Sequence, residues 1–166
     1  MSYTNQYYLD HAGSLHFLSA QDQANAVALG LPLPDPSWTV ATAAQVTAIQ
    51  SPAPTAAQAA ASVAQAALAA GLTVTSTGTP TLNGTYACDQ LSQMDIIAIE
   101  TSLNAGKGFP GATTTFNYPD VTGAMHSFSE SNFTNFAAAV RDFVYALKSV
   151  IAGASTTLPA ASTTIA

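Results

Sequence analysis

The chain has 166 residues, of which 3 are Lys or Arg, 9 are Asp or Glu and 3 are His, for a formal net charge of −6 at pH 7. Three scattered cations, Lys107, Arg141 and Lys148, cannot neutralise a phosphate backbone, so nucleic acid is not an expected partner. Charged residues make up 7% of the chain against roughly 25% in an average globular protein, so solubility must rest on Thr, Ser and Gln.

The first residues, Met1 to Gln6, lack the basic start and apolar run of a secretory signal, and none is expected. Tyr7-Tyr8-Leu9 and Leu15-His16-Phe17-Leu18 read as a hairpin around Asp10-His11-Ala12-Gly13-Ser14, where Gly13 can supply a positive φ. Ser19 to Asp22 opens a short helix reaching about Leu29. Pro32, Pro34 and Pro36 then favour an extended crossing. Trp38-Thr39-Val40 is read as a third short strand, and Thr42 with Gln45 has capping-box spacing before a helix over 43–50. Residues 1–50 are therefore predicted to form a small ββαβα-like module, with a proline-rich linker over 51–54.

Thr55 and Gln58 repeat the capping spacing at the start of an alanine-dominated helix that Gly71 ends. Ala56, Ala60, Val63, Ala67 and Ala70 lie near one face, small enough for another helix to approach closely, within the chain or on a second copy. No charged side chain occurs between Asp35 and Asp89, yet Thr, Gln, Ser and Pro interrupt the stretch. A membrane span is not expected there.

From Leu72 the period changes. Leu72 to Ser76 and Gly84 to Cys88 read as strands of a hairpin with a longer loop. Asp89 or Ser92 can cap a helix to about Asn104, with two apolar faces, Met94/Ile97/Thr101 and Ile96/Ile99/Leu103, as in a helix sandwiched between neighbours. Thr113 to Tyr118 and Met125 to Phe128 read as a second hairpin. Ser129 then caps an amphipathic helix of about 22 residues whose stripe, Phe133, Phe136, Ala137, Val140, Phe143, Val144, Leu147, Val150 and Ile151, follows the three-and-four spacing. The expected fold class is α+β: the small amino-terminal module, then a domain over 55–166 with two hairpins and a long carboxy-terminal helix. The state of the Thr/Ala-rich segment from Ser155 is left open.

The residues carry little chemistry. The carboxylates are dispersed, and Asp89 and Asp95 are accounted for by the helix dipole. His11 and His16 flank the first turn and His126 lies in a strand, without a third ligand in a recognisable metal pattern. Cys88, the single cysteine, has no basic neighbour in sequence to activate it and cannot form an internal disulfide. Gly106-Lys107-Gly108 lacks the rest of a phosphate loop, and no hydrolase or zinc-protease motif is present. No catalytic residue, metal or cofactor is therefore assigned, and enzymatic activity is not expected. Tyr3, Tyr7, Tyr8, Trp38, Phe109, Phe116 and Tyr118 are aromatic residues able to serve a partner surface or to close a core.

The order of several blocks carries a resemblance. Gly71 to Tyr86 (GLTVTSTGTPTLNGTY), Pro119-Asp120 with Gly123 and His126-Ser127-Phe128, the Phe-rich last helix and Leu158 to Ala166 resemble a domain of unknown function encoded beside bacteriophage tail-fibre genes. Tyr7-Tyr8 through Gly13, Leu15 to Leu18, the proline crossing and the capped helix to Gln50 look like the amino-terminal module of phage tail-fibre assembly proteins. The resemblance implies a chaperone that binds the distal part of a trimeric fibre non-covalently as it folds, in the host cytoplasm, and either leaves or stays in the virion tail as a tip protein. Fibre strands pair slowly and expose edges until they register, so a protein covering them suppresses aggregation. The expected contact surface is Tyr8, Leu9, Leu15 and Phe17 of the first hairpin with Trp38. The alternative is a structural tail protein or receptor-binding tip that contacts host glycan through aromatic, Asn and Thr side chains.

Overall fold

Aromatic and aliphatic residues on either side of a glycine turn bring the start of the chain back on itself. In the computed structural model, which describes residues 3–166, β1 (Gln6–Leu9) and β2 (Leu15–Leu18) pair antiparallel with Tyr8 opposite His16. At the turn the Gly13 N–H donates to the Asp10 carbonyl at 3.0 Å, and the Asp10 N–H donates to the Ser14 carbonyl at 3.1 Å. Gly13 holds φ +80°, the left-handed residue that ends such a three-residue loop. Ser19 then caps α1 (Ala20–Ala28) in a full capping box with Asp22, satisfying amides that the first turn leaves free. β3 (Thr39–Val40) pairs antiparallel with β1, for a sheet order β2-β1-β3, and Thr42 with Gln45 caps α2 (Ala43–Gln50). These elements form the first of two compact units, Met1–Pro54; the second is Thr55–Ala166.

The second unit begins with α3 (Ala56–Ala70), capped by Thr55 and Gln58. Gly71, at φ +86°, turns the chain into β4 (Leu72–Ser76), whose burial alternates: Leu72, Val74 and Ser76 inward, Thr73 and Thr75 outward. A 3-10 turn over Pro80–Leu82 leads to β5 (Gly84–Tyr86), antiparallel to β4. α4 (Gln90–Asn104) starts at the Asp89 cap; β6 (Thr115–Pro119) and β7 (Met125–Ser129) form the second hairpin; α5 (Glu130–Ile151) follows from Ser129. β8 (Ser162–Ile165) closes the chain as a parallel neighbour of β4, giving the order β5-β4-β8. Among the described residues, five helices and three small sheets make this an α+β protein.

The α5 stripe organises the core of this unit. Phe133, Phe136, Ala137, Val140, Phe143, Val144, Leu147 and Val150 are all buried, and Ile151 is half-buried. Around Phe133 and Phe136 gather Tyr86, Tyr118 and Phe128, with ring centroids 4.7 Å apart for Tyr86–Phe136 and 5.1 Å for Phe128–Phe136. Burying each such ring stabilises the fold by about 1.5–3 kcal/mol, which compensates for the many alanines elsewhere. The Tyr86 hydroxyl, which needs a partner in this setting, donates to the Leu82 carbonyl at 2.7 Å.

Several expectations change. On α3 the side toward the core is Ala60, Ala64, Ala67 and Leu68, whereas Ala56, Val63 and Ala70 face solvent, because Leu68 supplies the bulk that the alanines lack. α4 is covered on one face only: Ile96, Ile99 and Leu103 meet the core, while Met94, Ile97 and Thr101 are exposed. Of the aromatic residues left open between surface and core, Phe109 and Tyr118 are core residues. The carboxy-terminal segment contributes a strand, with Ile165 buried in the core, and β5 is shorter than expected, ending at Tyr86.

Candidate partner-binding surface

Strand pairing decides where the expected contact residues point. Directly opposite residues share a face, and neighbours along a strand alternate. Tyr8 and His16 therefore lie on one face of the first sheet, while Tyr7 with Phe17 and Leu9 with Leu15 lie on the other. Trp38 joins the first face: its ring stacks on His16 at 4.1 Å and 14° and lies 6.4 Å from Tyr8. Tyr7 and Phe17 pack together across the second, centroids 4.9 Å apart. The five residues thus form two groups, Tyr8 with Trp38 and Leu9 with Leu15 and Phe17. Tyr8 is buried within its own unit, Trp38, Leu9 and Leu15 are half-buried, and Phe17 is exposed.

This unit has an unusual balance of apolar surface. Among its described residues the buried apolar side chains are Tyr8, Ala26 and Ala41, whereas Phe17, Val27, Leu29, Leu31, Val40 and Ile49 are each at least 46% exposed. Large apolar residues outside and small ones inside reverse the usual sorting. β2 and β3 are also the edges of the sheet, so their outward N–H and C=O groups can pair with an added strand. A polar tie is also buried in the unit: the Gln23 amide donates to the Thr4 carbonyl at 2.7 Å and the Leu18 carbonyl at 3.4 Å.

An acid–histidine clasp braces the first turn. His16 Nε2 lies 3.0 Å from Asp10 Oδ2, and the Ser14 N–H donates to Asp10 Oδ1 at 2.8 Å. The His16 and Ser14 hydrogen bonds hold the Asp10 carboxyl below its usual range. The second hairpin repeats this arrangement. Tyr118, Asp120, Gly123, His126 and Ser129 have the spacing of Tyr8, Asp10, Gly13, His16 and Ser19, and Tyr118 pairs with His126 as Tyr8 does with His16. His126 Nε2 lies 3.3 Å from Asp120 Oδ2, the Ala124 N–H donates to Asp120 Oδ1 at 3.0 Å, Gly123 has φ +85°, and Ser129 caps α5 as Ser19 caps α1. The recurrence of Tyr-x-Asp-x-x-Gly-x-x-His-x-x-Ser is the signal in the sequence that identifies the clasp, and separate readings of the two hairpins miss it.

The two clasps have different surroundings. In the second, His126 Nδ1 faces the Thr81 carbonyl at 2.6 Å and the Val121 N–H donates to the Thr85 carbonyl at 2.8 Å, which ties the hairpin to the segment around β5. Asp120 is held at about 2 by the Thr122 hydroxyl first, with the Thr122 N–H, His126 and the Ala124 N–H adding to it. In the first, the indole of Trp38 lies against His16.

Elsewhere the titratable groups have structural surroundings. Burial pushes the Cys88 thiol up to about 11, and its Sγ–H points at the Tyr86 carbonyl at 3.6 Å, the opposite of an activated nucleophile. Asp89 is held low by the Ser92 amide and hydroxyl at the start of α4. Among the described residues no group of three or more His, Cys, Asp or Glu is placed to hold a metal ion, and no helix is long and apolar enough to cross a membrane. No family model matches the chain, and no curated protein or solved structure matches it either.

Proposed function

We propose that the protein is a phage tail-fibre assembly chaperone, which binds the distal part of a folding fibre without covalent chemistry. The observation that carries this reading is the first unit's reversed sorting: three buried apolar residues, two of them alanine, against six large ones left in water. Phe17 and Val40 lie on the two edge strands β2 and β3. A fibre strand laid along the β2 edge would satisfy its free backbone groups and cover Phe17, with Leu9 and Leu15 beside it, while Val40, paired with Tyr8, offers the opposite face at the β3 edge. Such binding needs neither a cofactor nor a nucleotide. The resemblance of Tyr7 to Gln50 and of Leu72 to Ala166 to tail-fibre-associated modules supplies the class of partner.

The test is co-expression of the cognate fibre with and without this protein, measuring soluble trimer. The protein should raise the yield, and a Phe17→Ser, Val40→Ser variant should lose most of that gain while keeping its own far-UV spectrum. Equal yields with and without the protein would overturn the reading. Mass spectrometry of purified particles separates a transient chaperone, absent from the tail, from a retained receptor-binding tip.

A further inference from the structure

We propose that the Asp10–His16 clasp of the first hairpin is a binding site for an extended, glycine-containing segment of a partner chain, held through two of that segment's backbone carbonyls. The second hairpin shows the bound arrangement within this chain. Residues 81–86 run across its clasp with Gly84 against the acid–histidine pair: a Cβ on Gly84 would lie 3.2 Å from His126 Nε2 and 3.3 Å from Asp120 Oδ2, so a side chain there would press on both. A carbonyl is taken up on either side of the glycine. Thr81, three residues before it, faces His126 Nδ1 at 2.6 Å, and Thr85, the residue after it, accepts from the Val121 N–H at 2.8 Å. A ring nitrogen that faces a carbonyl oxygen donates to it. Covered in this way, the His126 and Asp120 side chains are 11% and 10% exposed.

The first clasp carries the same groups in the same register, without that cover. His11 stands where Val121 does, one residue after the aspartate, and its N–H makes no hydrogen bond with any described residue; nor does His16 Nδ1. The His16 and Asp10 side chains are 36% and 24% exposed, more than twice the values in the second clasp. The aromatic part of the socket is filled from within the unit. Trp38 lies 4.1 Å from His16 and 6.4 Å from Tyr8, as Tyr86 lies 5.5 Å from His126 and 6.4 Å from Tyr118. A partner segment therefore has to bring no ring. It has to bring a glycine, with one carbonyl three residues before it for His16 Nδ1 and another one residue after it for the His11 N–H. The chain's own residues 81–86 are held by the second clasp, so the occupant comes from another chain. That this chain is the fibre rests on the chaperone reading above; the form of the segment does not.

Titrating the full chain with a synthetic peptide of residues 79–87 carrying Tyr86→Ser tests this without any fibre. Binding should change the fluorescence of Trp38, the chain's one tryptophan, and shift the His11 amide and His16 ring resonances in NMR spectra. Gly84→Ala in the peptide should weaken binding roughly tenfold or more. In the protein, His11→Pro removes the free N–H at the second position of the Asp10–Gly13 turn, a position that proline suits, and His16→Phe keeps a ring against Trp38 while removing Nδ1. Each should weaken binding roughly tenfold, the scale of one lost hydrogen bond, with an unchanged far-UV spectrum. A wild type whose spectra do not respond to the peptide, equal affinity for the Gly84→Ala peptide, or a His11→Pro chain that binds like the wild type would each overturn the proposal. A protein that raises the yield of fibre but fails these tests keeps the chaperone reading and loses this one; peptide binding without a gain in fibre does the reverse.

Discussion

At the scale of single residues, polar side chains do much of the work of fixing turns. Asp120 accepts from the Thr122 hydroxyl at 2.6 Å, the Thr122 N–H at 2.8 Å and the Ala124 N–H at 3.0 Å, while His126 approaches its other oxygen. All of these favour the carboxylate, so its folded value of about 2 lies below the unfolded carboxylate range near 3.9. A depressed acid contributes stability that is present above its unfolded value and is lost as pH falls through its folded one. Urea midpoints should accordingly drop between about pH 4 and pH 2, and Asp120→Asn should flatten that part of the profile. An identical acid limb in the variant would mean that other carboxylates set it. Gly71 is a second point of constraint. It holds φ +86°, and a Cβ there would run into the Tyr86 carbonyl, backbone that the β4–β5 ladder fixes. Gly71→Ala should therefore cost about 2–4 kcal/mol, read from the same denaturation curves, through strain and clash together.

At the scale of elements, three helices with little charge depend on hydroxyl caps. Ser19, Thr42 and Thr55 each accept from the third helical amide, while Asp22, Gln45 and Gln58 reach back to the cap. α3 depends on this most, since its side chains are mainly alanine and only Ala64 is fully buried. Thr55→Ala should lower the stability of the second unit by about 1 kcal/mol, measurable by thermal unfolding, and Thr55→Ser should restore most of it. The caps and the α5 stripe were readable because their determinants lie within four residues of one another. The α3 face was not: helical spacing places Ala60 and Ala67 together but does not say whether Val63 or Leu68 meets α5, and that depends on where the other helix sits.

At the scale of the whole molecule, the contiguous apolar core lies in the second unit, running from Ala64 to Ile165. A fragment of residues 55–166 should fold by itself, keeping the near-UV signal of its packed Tyr and Phe rings and a cooperative melt. A fragment that gives neither would show that the core needs the first unit. The described residues of the first unit include no comparable core: small side chains are inside and large ones outside, so that unit should be markedly less stable by itself than residues 55–166.

The sequence by itself determined the α+β class, the order of nearly all helices and strands, the capping residues and the stripe of α5, because each follows from local chemistry or short-range periodicity. The tertiary structure decided the rest. Register separated Tyr8 and Trp38 from Leu9, Leu15 and Phe17, since one step along a strand reverses the direction of a side chain. Parallel pairing brought Ser162–Ile165 beside β4, joining strands from opposite ends of the second unit, with no local signal for it in a Thr/Ala-rich tail. Packing on one side alone left Ile97 and Tyr145 in water, since a pattern of apolar residues shows which faces seek cover and only the assembled fold shows which of them find it.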